Sequence, residues 1–211
     1  MKRMKYSSIN EAELRNSFSM EENYEQSAAV LIPLIEREGV WHVIFEVRAH
    51  TMRRQPGEIA FPGGRLDPGE TPVEAAVRET SEELEMKIGE IEVIGRLQPL
   101  ATPHRQLIYP FVGIIPTLPD VHMTEEVDHL FTVPVDTLLY LDPFHGEMEW
   151  TMNPAQNIPF DRMANAKAYE KRVIKMREPF YEHGDYIIWG LTGKILSQFI
   201  KHIKENVFKP I

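Results

Sequence analysis

Three glutamates, Glu79, Glu82 and Glu83, stand at i, i+3 and i+4, the spacing that brings side chains onto one face of an α-helix. Like charges so placed repel and cost an isolated helix roughly 0.2–0.5 kcal/mol per pair. A bound cation turns that repulsion into attraction. Carboxylate oxygens are hard ligands, suited to Mg²⁺ or Mn²⁺ and unsuited to thiophilic metals. Mg²⁺ usually keeps several waters and shares its shell with substrate phosphates. Such a site can neutralise pyrophosphate charge and make hydroxide available near neutral pH. Arg78, next to the cluster, can orient one glutamate through a charge-assisted hydrogen bond. Gly63 and Gly64 allow close backbone approach, and their carbonyls are further oxygen donors. The plain alternative is a glutamate-rich helix turned to solvent.

The elements that must position these residues are legible on either side. Thr71 is an N-cap, Pro72 suits the first helical position, and Glu74 completes a T-x-x-E capping box. Ala75 and Ala76 favour helix to about Leu84. Ala76, Val77, Thr80 and Leu84 are expected against a sheet, with Glu79, Glu82 and Glu83 on the opposite, solvent-accessible side. Upstream, the apolar run Ala28–Ile35 and the β-branched, aromatic run Val40–Arg48 read as a hairpin closed by a Gly-containing loop, with His42 pointing outward. Downstream, 91–97 and 107–115 read as strands. Between them lies a turn-rich segment that includes His104, and Pro110 predicts an edge position or a bulge. Residues 120–128 form an acidic loop before the strand-like HLFTV, and Pro134 opens a short helix.

Residues 142–186 lack a clean period. They read as two or three strands with a polar excursion over 153–171, and with Trp150, Phe160, Phe180 and Tyr181 packed. Over 187–207, Leu191, Ile195, Phe199 and Ile203 recur every four residues. They make an amphipathic helix, packed on the sheet or shared with a second copy in a homodimer. A short helix is expected over 9–19, with Leu14 and Phe18 on one face. The whole, residues 1–211, reads as one domain with an N-terminal extension over 1–26 and an insertion over 142–185.

Composition bounds the chemistry. The 211 residues are 43% apolar and 26% charged, as in a soluble globular protein. With no cysteine, disulfides, zinc-thiolate sites and thiol nucleophiles are excluded, which suits a cytoplasmic location. The first residues lack the apolar core of a signal peptide, and no run approaches a membrane span. A net charge of −9 argues against broad nucleic-acid binding. The charge is unevenly spread. Arg48, Arg53, Arg54 and Arg65 face one acid, Glu58, between positions 48 and 65, whereas eight glutamates face Arg78 and Lys87 between 70 and 92. A basic segment beside an acidic one suggests an anionic ligand held partly by arginine and partly through a metal.

The stretch from Gly64 to Met86 resembles the Nudix signature G-x5-E-x7-R-E-U-x-E-E-x-G-U, where U is a bulky apolar residue. Gly64, Glu70, Arg78, Glu79, Glu82, Glu83 and Met86 fall in register. Thr80 departs from an aliphatic position. Glu85 replaces the glycine that ends the helix, so either a left-handed glutamate costs about 1 kcal/mol or the helix runs on towards Gly89. Upstream, residues 44–64 resemble the L-L-T-x-R-[SA]-x3-R-x3-G-x3-F-P-G-G motif of the coenzyme A pyrophosphatase branch. Arg48, Ala49, Arg53, Gly57, Phe61, Pro62, Gly63 and Gly64 match, and Glu46 replaces the threonine. Two later blocks, 125–139 and 186–196, are similar to that branch as well.

The resemblance implies an α/β Nudix fold, an α/β/α sandwich around a mixed β-sheet. It implies Mg²⁺- or Mn²⁺-dependent hydrolysis of coenzyme A (CoA) or its thioesters, giving 3′,5′-ADP and 4′-phosphopantetheine or its acyl form. Carried over by position, Glu79, Glu82 and Glu83 are metal ligands, joined by the Gly64 carbonyl, and Arg78 orients them. A box glutamate or an acid of the later loop, Glu125 or Glu126, is the general base. Gly63, Arg48, Arg53 and Arg54 are assigned to the substrate, although the motif covers only the first two of these arginines. The alternatives are a Nudix enzyme acting on another nucleoside diphosphate derivative, such as ADP-ribose or NADH, and a non-catalytic Nudix ligand-binding domain.

Overall fold

The computed structural model describes residues 27–102, 106–119, 124–153, 157–164, 167 and 172–207. The helix expected over 9–19, His104 and much of the 153–171 excursion lie outside them. β1 (Ala28–Arg37) and β2 (Val40–Arg48) form the expected hairpin, with Leu34 opposite Val43. The turn needs only two residues because Glu38 and Gly39 both take positive φ, 52° and 77°. That is the mirror-image turn whose twist matches the strands it joins.

Six further strands extend this hairpin into a mixed eight-stranded sheet. They are β3 (Ile59–Ala60), β4 (Gly63–Arg65), β5 (Glu92–Arg96), β6 (Leu100–Ala101), β7 (Leu107–Ile114) and β8 (Val127–Pro134). β1 is its centre: parallel to β7, with Ala28 opposite Ile108, and antiparallel to β2 and to β4, with Ala29 opposite Gly64. Its residues alternate between two cores, as a strand buried on both faces must. On one side Ala29, Leu31 and Ile44 pack against Ala75, Ala76 and Leu84 of helix α1 (Pro72–Glu83) and its C-cap. On the other, Ile32, Val43 and Phe45 pack against Leu138 of α2 (Val135–Tyr140) and Ile195 and Phe199 of α3 (Gly190–Asn206). Each fully buried side chain of this kind contributes roughly 1.5–3 kcal/mol. The result is the α/β/α sandwich around a mixed sheet that the resemblance implied.

Pro110 does not lie on an edge strand, since β7 sits between β1 and β5. It is tolerated because it stands in a gap. Arg96 of β5 is opposite Phe111 and Leu100 of β6 is opposite Ile108, so neither strand pairs with the position between, where the Pro110 carbonyl accepts from the Leu97 amide at 2.9 Å and only the absent N–H goes unused.

Among the described residues of 142–188 there is a separate three-stranded sheet, β9 (Phe144–Met152), β10 (Arg172–His183) and β11 (Tyr186–Ile188). α3 therefore begins at Gly190, later than its periodicity suggested. Lys194 Nζ of α3 donates to the buried Glu178 of β10 at 2.7 Å, and the Tyr181 and Ser197 hydroxyls meet at 2.8 Å, tying sheet to helix. Tyr181 is buried and Phe180 stacks on Trp189, while Trp150 keeps 38% of its surface exposed. Among the described residues no helix is long and apolar enough to cross a membrane.

Candidate active site

Helix α1 starts where its capping box requires. The Glu74 amide donates to Thr71 Oγ1 at 3.4 Å, and the Glu74 carboxylate accepts from the Thr71 amide at 2.9 Å. Its end is equally defined. The Met86 amide donates to the Ser81 carbonyl and the Glu85 amide to that of Glu82, a Schellman closure. Glu85, in the usual glycine position, takes φ 50°. The helix stops at Glu83 and does not run on to Gly89. Thr80, the other departure, is fully buried and meets its own hydrogen-bonding need by donating to the Ala76 carbonyl at 2.6 Å.

The three glutamates do not share one environment, which corrects the expectation of a solvent-facing trio. The Glu82 side chain is 61% exposed, but Glu83 is buried at 7% and Glu79 is mostly covered. The cause lies outside the helix. β4 packs beside α1, and its Gly63 amide donates to Glu83 Oε2 at 2.8 Å. The two glycines make this approach feasible. A Cβ on Gly63 would lie 2.6 Å from Val30 Cα, and one on Gly64 would collide with the Glu79 carboxylate.

Arg78 holds the other half of the site. Its Nε and Nη2 donate to the two oxygens of Glu70 at 2.9 and 3.0 Å, the bidentate arrangement. Its Nη1 reaches Glu79 at 2.9 Å and Glu82 at 3.5 Å, and Nη2 also donates to the Arg65 carbonyl. The guanidinium thus joins the loop before α1 to two glutamates on it. Glu70 is held below the usual carboxylate range, chiefly by its hydrogen bond from Arg78.

A fourth carboxylate, Glu46, sits in the middle of β2 between Phe45 and Val47. Two residues from Ile44, it shares the strand face that α1 covers. It is only 1% exposed. Burial pushes its carboxyl up to about 7, and that of Glu83 up to about 9, the latter also through the field of Glu46. Glu79 is raised by burial too, against the opposing pull of Arg78. Glu126 adds its field to Glu46, Glu79 and Glu83. Of the two loop acids, then, Glu126 bears on the site. Glu125 is exposed.

Beside Gly63 and Gly64 opens a cleft of about 310 Å³, lined by Arg48, Gln55 and Phe61 and by Trp189, Gly190 and Thr192 at the start of α3. Thr192 Oγ1 donates to the Ile59 carbonyl at 2.9 Å, pinning that helix end to β3. Of the three arginines expected at the substrate, Arg48 lines the cleft. Arg53 and Arg54 stand exposed on the following loop, outside the lining. Sequence reasoning matched 186–196 to the coenzyme A branch but did not assign this α3 wall, more than a hundred residues downstream, to the site. It noted Glu46 only as a departure, although a lone acid inside the apolar run VIFEV was the available signal.

Oxygen donors that fit a hard divalent cation are therefore gathered at one end of the sheet, on Glu46, Glu79, Glu83 and the Gly64 backbone. As they stand, no three acidic or histidine side chains among the described residues already enclose a common point. Arg78 draws Glu79 and Glu82 towards itself, and the Gly63 amide holds Glu83. Ligation calls for side-chain re-aiming.

Residues 25–172 match the model of the NUDIX domain. The chain is 33% identical over 194 residues to the Nudix hydrolase NudL of an Enterobacter species, covering 90% of this chain and 89% of that protein. It is 29% identical over 189 residues to the human mitochondrial coenzyme A diphosphatase NUDT8, covering 87% and 72%. A MutT/nudix family protein from Enterococcus faecalis superposes with a TM-score of 0.51 at 13% identity, over 96% of this chain and 70% of that one. The capped helix, its glycine-backed glutamates and the family match agree: the chain belongs to the Nudix hydrolases, enzymes that act on pyrophosphate bonds.

Proposed function

We propose that this Nudix hydrolase is a coenzyme A diphosphatase, cleaving the pyrophosphate of CoA or a CoA thioester to 3′,5′-ADP and (acyl-)4′-phosphopantetheine. The observation that carries the reading is the Arg48-to-Gly64 block, which matches the CoA branch and lays Arg48, Gly63 and Gly64 along one cleft. The likeness to a protein named as a coenzyme A diphosphatase supports it.

Nudix hydrolases generally use divalent metal ions, and the donors here suit Mg²⁺ or Mn²⁺. Glu79, Glu82, Glu83 and the Gly64 carbonyl would hold the ion. When bound, it neutralises phosphate charge and acidifies water. The chain's own residues do the rest. Arg78 fixes Glu79 and takes its own orientation from Glu70. The Gly63 amide fixes Glu83. Arg48 meets the anionic substrate in the cleft. Glu126, whose charge bears on Glu46, Glu79 and Glu83, is the base assigned to accept the proton of the attacking water. We read residues 1–211 as one such domain, extended over 1–26 and carrying 142–185 as an insertion. The compartment proposed is the cytoplasm. A homodimer would cover the exposed apolar side chains of Phe144, Trp150 and Ile174 on the β9–β10 ribbon, and light scattering would report a doubled mass.

Purified protein with Mg²⁺ or Mn²⁺ should convert CoA to two phosphorylated products separable by chromatography. If CoA is untouched while ADP-ribose is cleaved, the runner-up, a diphosphatase for another nucleoside diphosphate derivative, replaces this reading. Glu126→Gln should depress kcat at least tenfold more than Glu125→Gln. Equal effects would remove Glu126 from its role.

A further inference from the structure

Glu46 is unaccounted for by the family pattern, which has threonine at its position. Among the described residues it is also the one acid with both oxygens buried and unpartnered. Neither carboxylate oxygen has a hydrogen-bond partner among the described residues. Its ion-pair neighbour is Arg48, whose Nη1 is 3.9 Å from Oε1, too long for a hydrogen bond. Buried polar groups are almost always satisfied, and a buried carboxylate with nothing to bond is rarer still. A partner from outside the polypeptide, a water or an ion, would complete it.

The direction in which it bears identifies that partner. Glu46 occupies the β2 face beneath α1, and its field falls on Glu83, while Glu79 and Glu126 act on it in turn. Its other neighbours are backbone and apolar: Ala60 on β3 and Leu130 on β8 are its strand partners. A group facing several carboxylates and one distant guanidinium is in a place for a cation. Arg78, the cation of the site, is already engaged by Glu70, Glu79 and Glu82.

We infer that Glu46 is an additional oxygen ligand of the divalent-cation site, contributed from β2 opposite the helix glutamates. Together with Glu79 and Glu83 it gives the ion donors from both the sheet and α1. A threonine at this place could offer only a neutral hydroxyl. The site of this chain would hold an ion under more negative charge and bind it more tightly than a threonine-bearing relative does. The inference rests on the metal-site reading above, and the experiment separates the two.

Glu46→Gln keeps the shape and removes the charge, and Glu46→Thr restores the family residue. A third variant, Glu83→Gln, reports on the site itself. Mn²⁺ affinity is measured for each protein by titration calorimetry and by the EPR signal of free Mn²⁺, with circular dichroism confirming the fold. Loss of even an outer-sphere partner of a metal ligand costs roughly ten- to a hundredfold in affinity, and a loss of at least that size is expected for both Glu46 variants. Their metal-free melting temperatures should rise or hold, since a buried unpaired acid has been removed, while the increment on adding Mn²⁺ shrinks. Wild-type Mn²⁺ affinity in both Glu46 variants, with affinity lost in Glu83→Gln, overturns the role of Glu46 alone. Wild-type affinity in all three overturns the metal-site reading itself. Should Glu46→Gln fail to fold, Glu46→Thr decides the matter.

Discussion

Replacing Glu85 with glycine should stabilise the protein. Glu85 holds φ 50° at the position where the Schellman closure of α1 requires a left-handed residue. An L-residue with a Cβ pays roughly 1–2 kcal/mol for that conformation. Glycine adopts it freely but widens the unfolded ensemble, which returns roughly 0.5–1 kcal/mol. The net gain is about 0.5–1 kcal/mol. For a chain of this size each kcal/mol moves Tm by roughly 2–4 °C, so the expected rise is about 1–4 °C. Charge is a competing explanation, because Glu85 follows a helix whose last turn carries no basic residue, where a negative charge is unfavourable. Glu85→Ala separates the two: it removes the charge and keeps the Cβ. Thermal melts of the three proteins in one chelator-containing buffer should place Glu85→Gly highest and Glu85→Ala at or only slightly above the parent. An alanine variant that equals the glycine variant, or a glycine variant that melts no higher than the parent, refutes the strain argument.

Arg78→Lys should keep the charge but lose the fork that grips Glu70 while reaching Glu79; kcat is expected to fall about 10–100-fold with little change in KM, read by steady-state kinetics. Gly64→Ala should push the Glu79 carboxylate aside and cost on the order of a hundredfold in kcat/KM, with an unaltered circular dichroism spectrum. The metal-free protein should lose stability as pH rises. Glu46 and Glu83 titrate near 7 and 9 in the fold but near 4.5 when unfolded. The native state therefore binds more protons than the unfolded chain across that window, and stability is greatest below it. Urea midpoints in chelator at pH 5.5, 7 and 8.5 should decline in that order, and Glu83→Gln should flatten the trend.

What could be read from the sequence was what is decided locally. The start of α1 follows from Thr71, Pro72 and Glu74, which act within one turn, and the β1–β2 hairpin from two apolar runs and Glu38-Gly39. The misreadings are all non-local. Helical spacing placed Glu79, Glu82 and Glu83 on one face correctly, but their exposure depends on β4 lying against α1, a contact no periodicity encodes. Pro110 is excused from edge duty by where β5 ends and β6 begins. The cleft wall at Trp189 and Thr192 comes from the far end of the chain. Arg53 and Arg54, adjacent to Arg48 in charge pattern, diverge from it because the loop after β2 turns outward.

The parallel pairing of β1 with β7 has a kinetic consequence. Every rung from Ala28 opposite Ile108 to Leu34 opposite Ile114 closes a loop of about 80 residues, whereas β1–β2 and α1 depend on neighbours. Loop closure must precede any gain from such rungs, so this step governs the folding rate. The chain between them carries the glutamates and glycines of the candidate site from Glu46 to Glu83. That segment can take its local shape early, yet it is sealed only when β7 docks and Phe111 joins Leu31 and Ala75 beneath the helix. Mutations in β7, far from any reacting atom, would therefore delay the appearance of activity during refolding more than they would alter the activity finally reached.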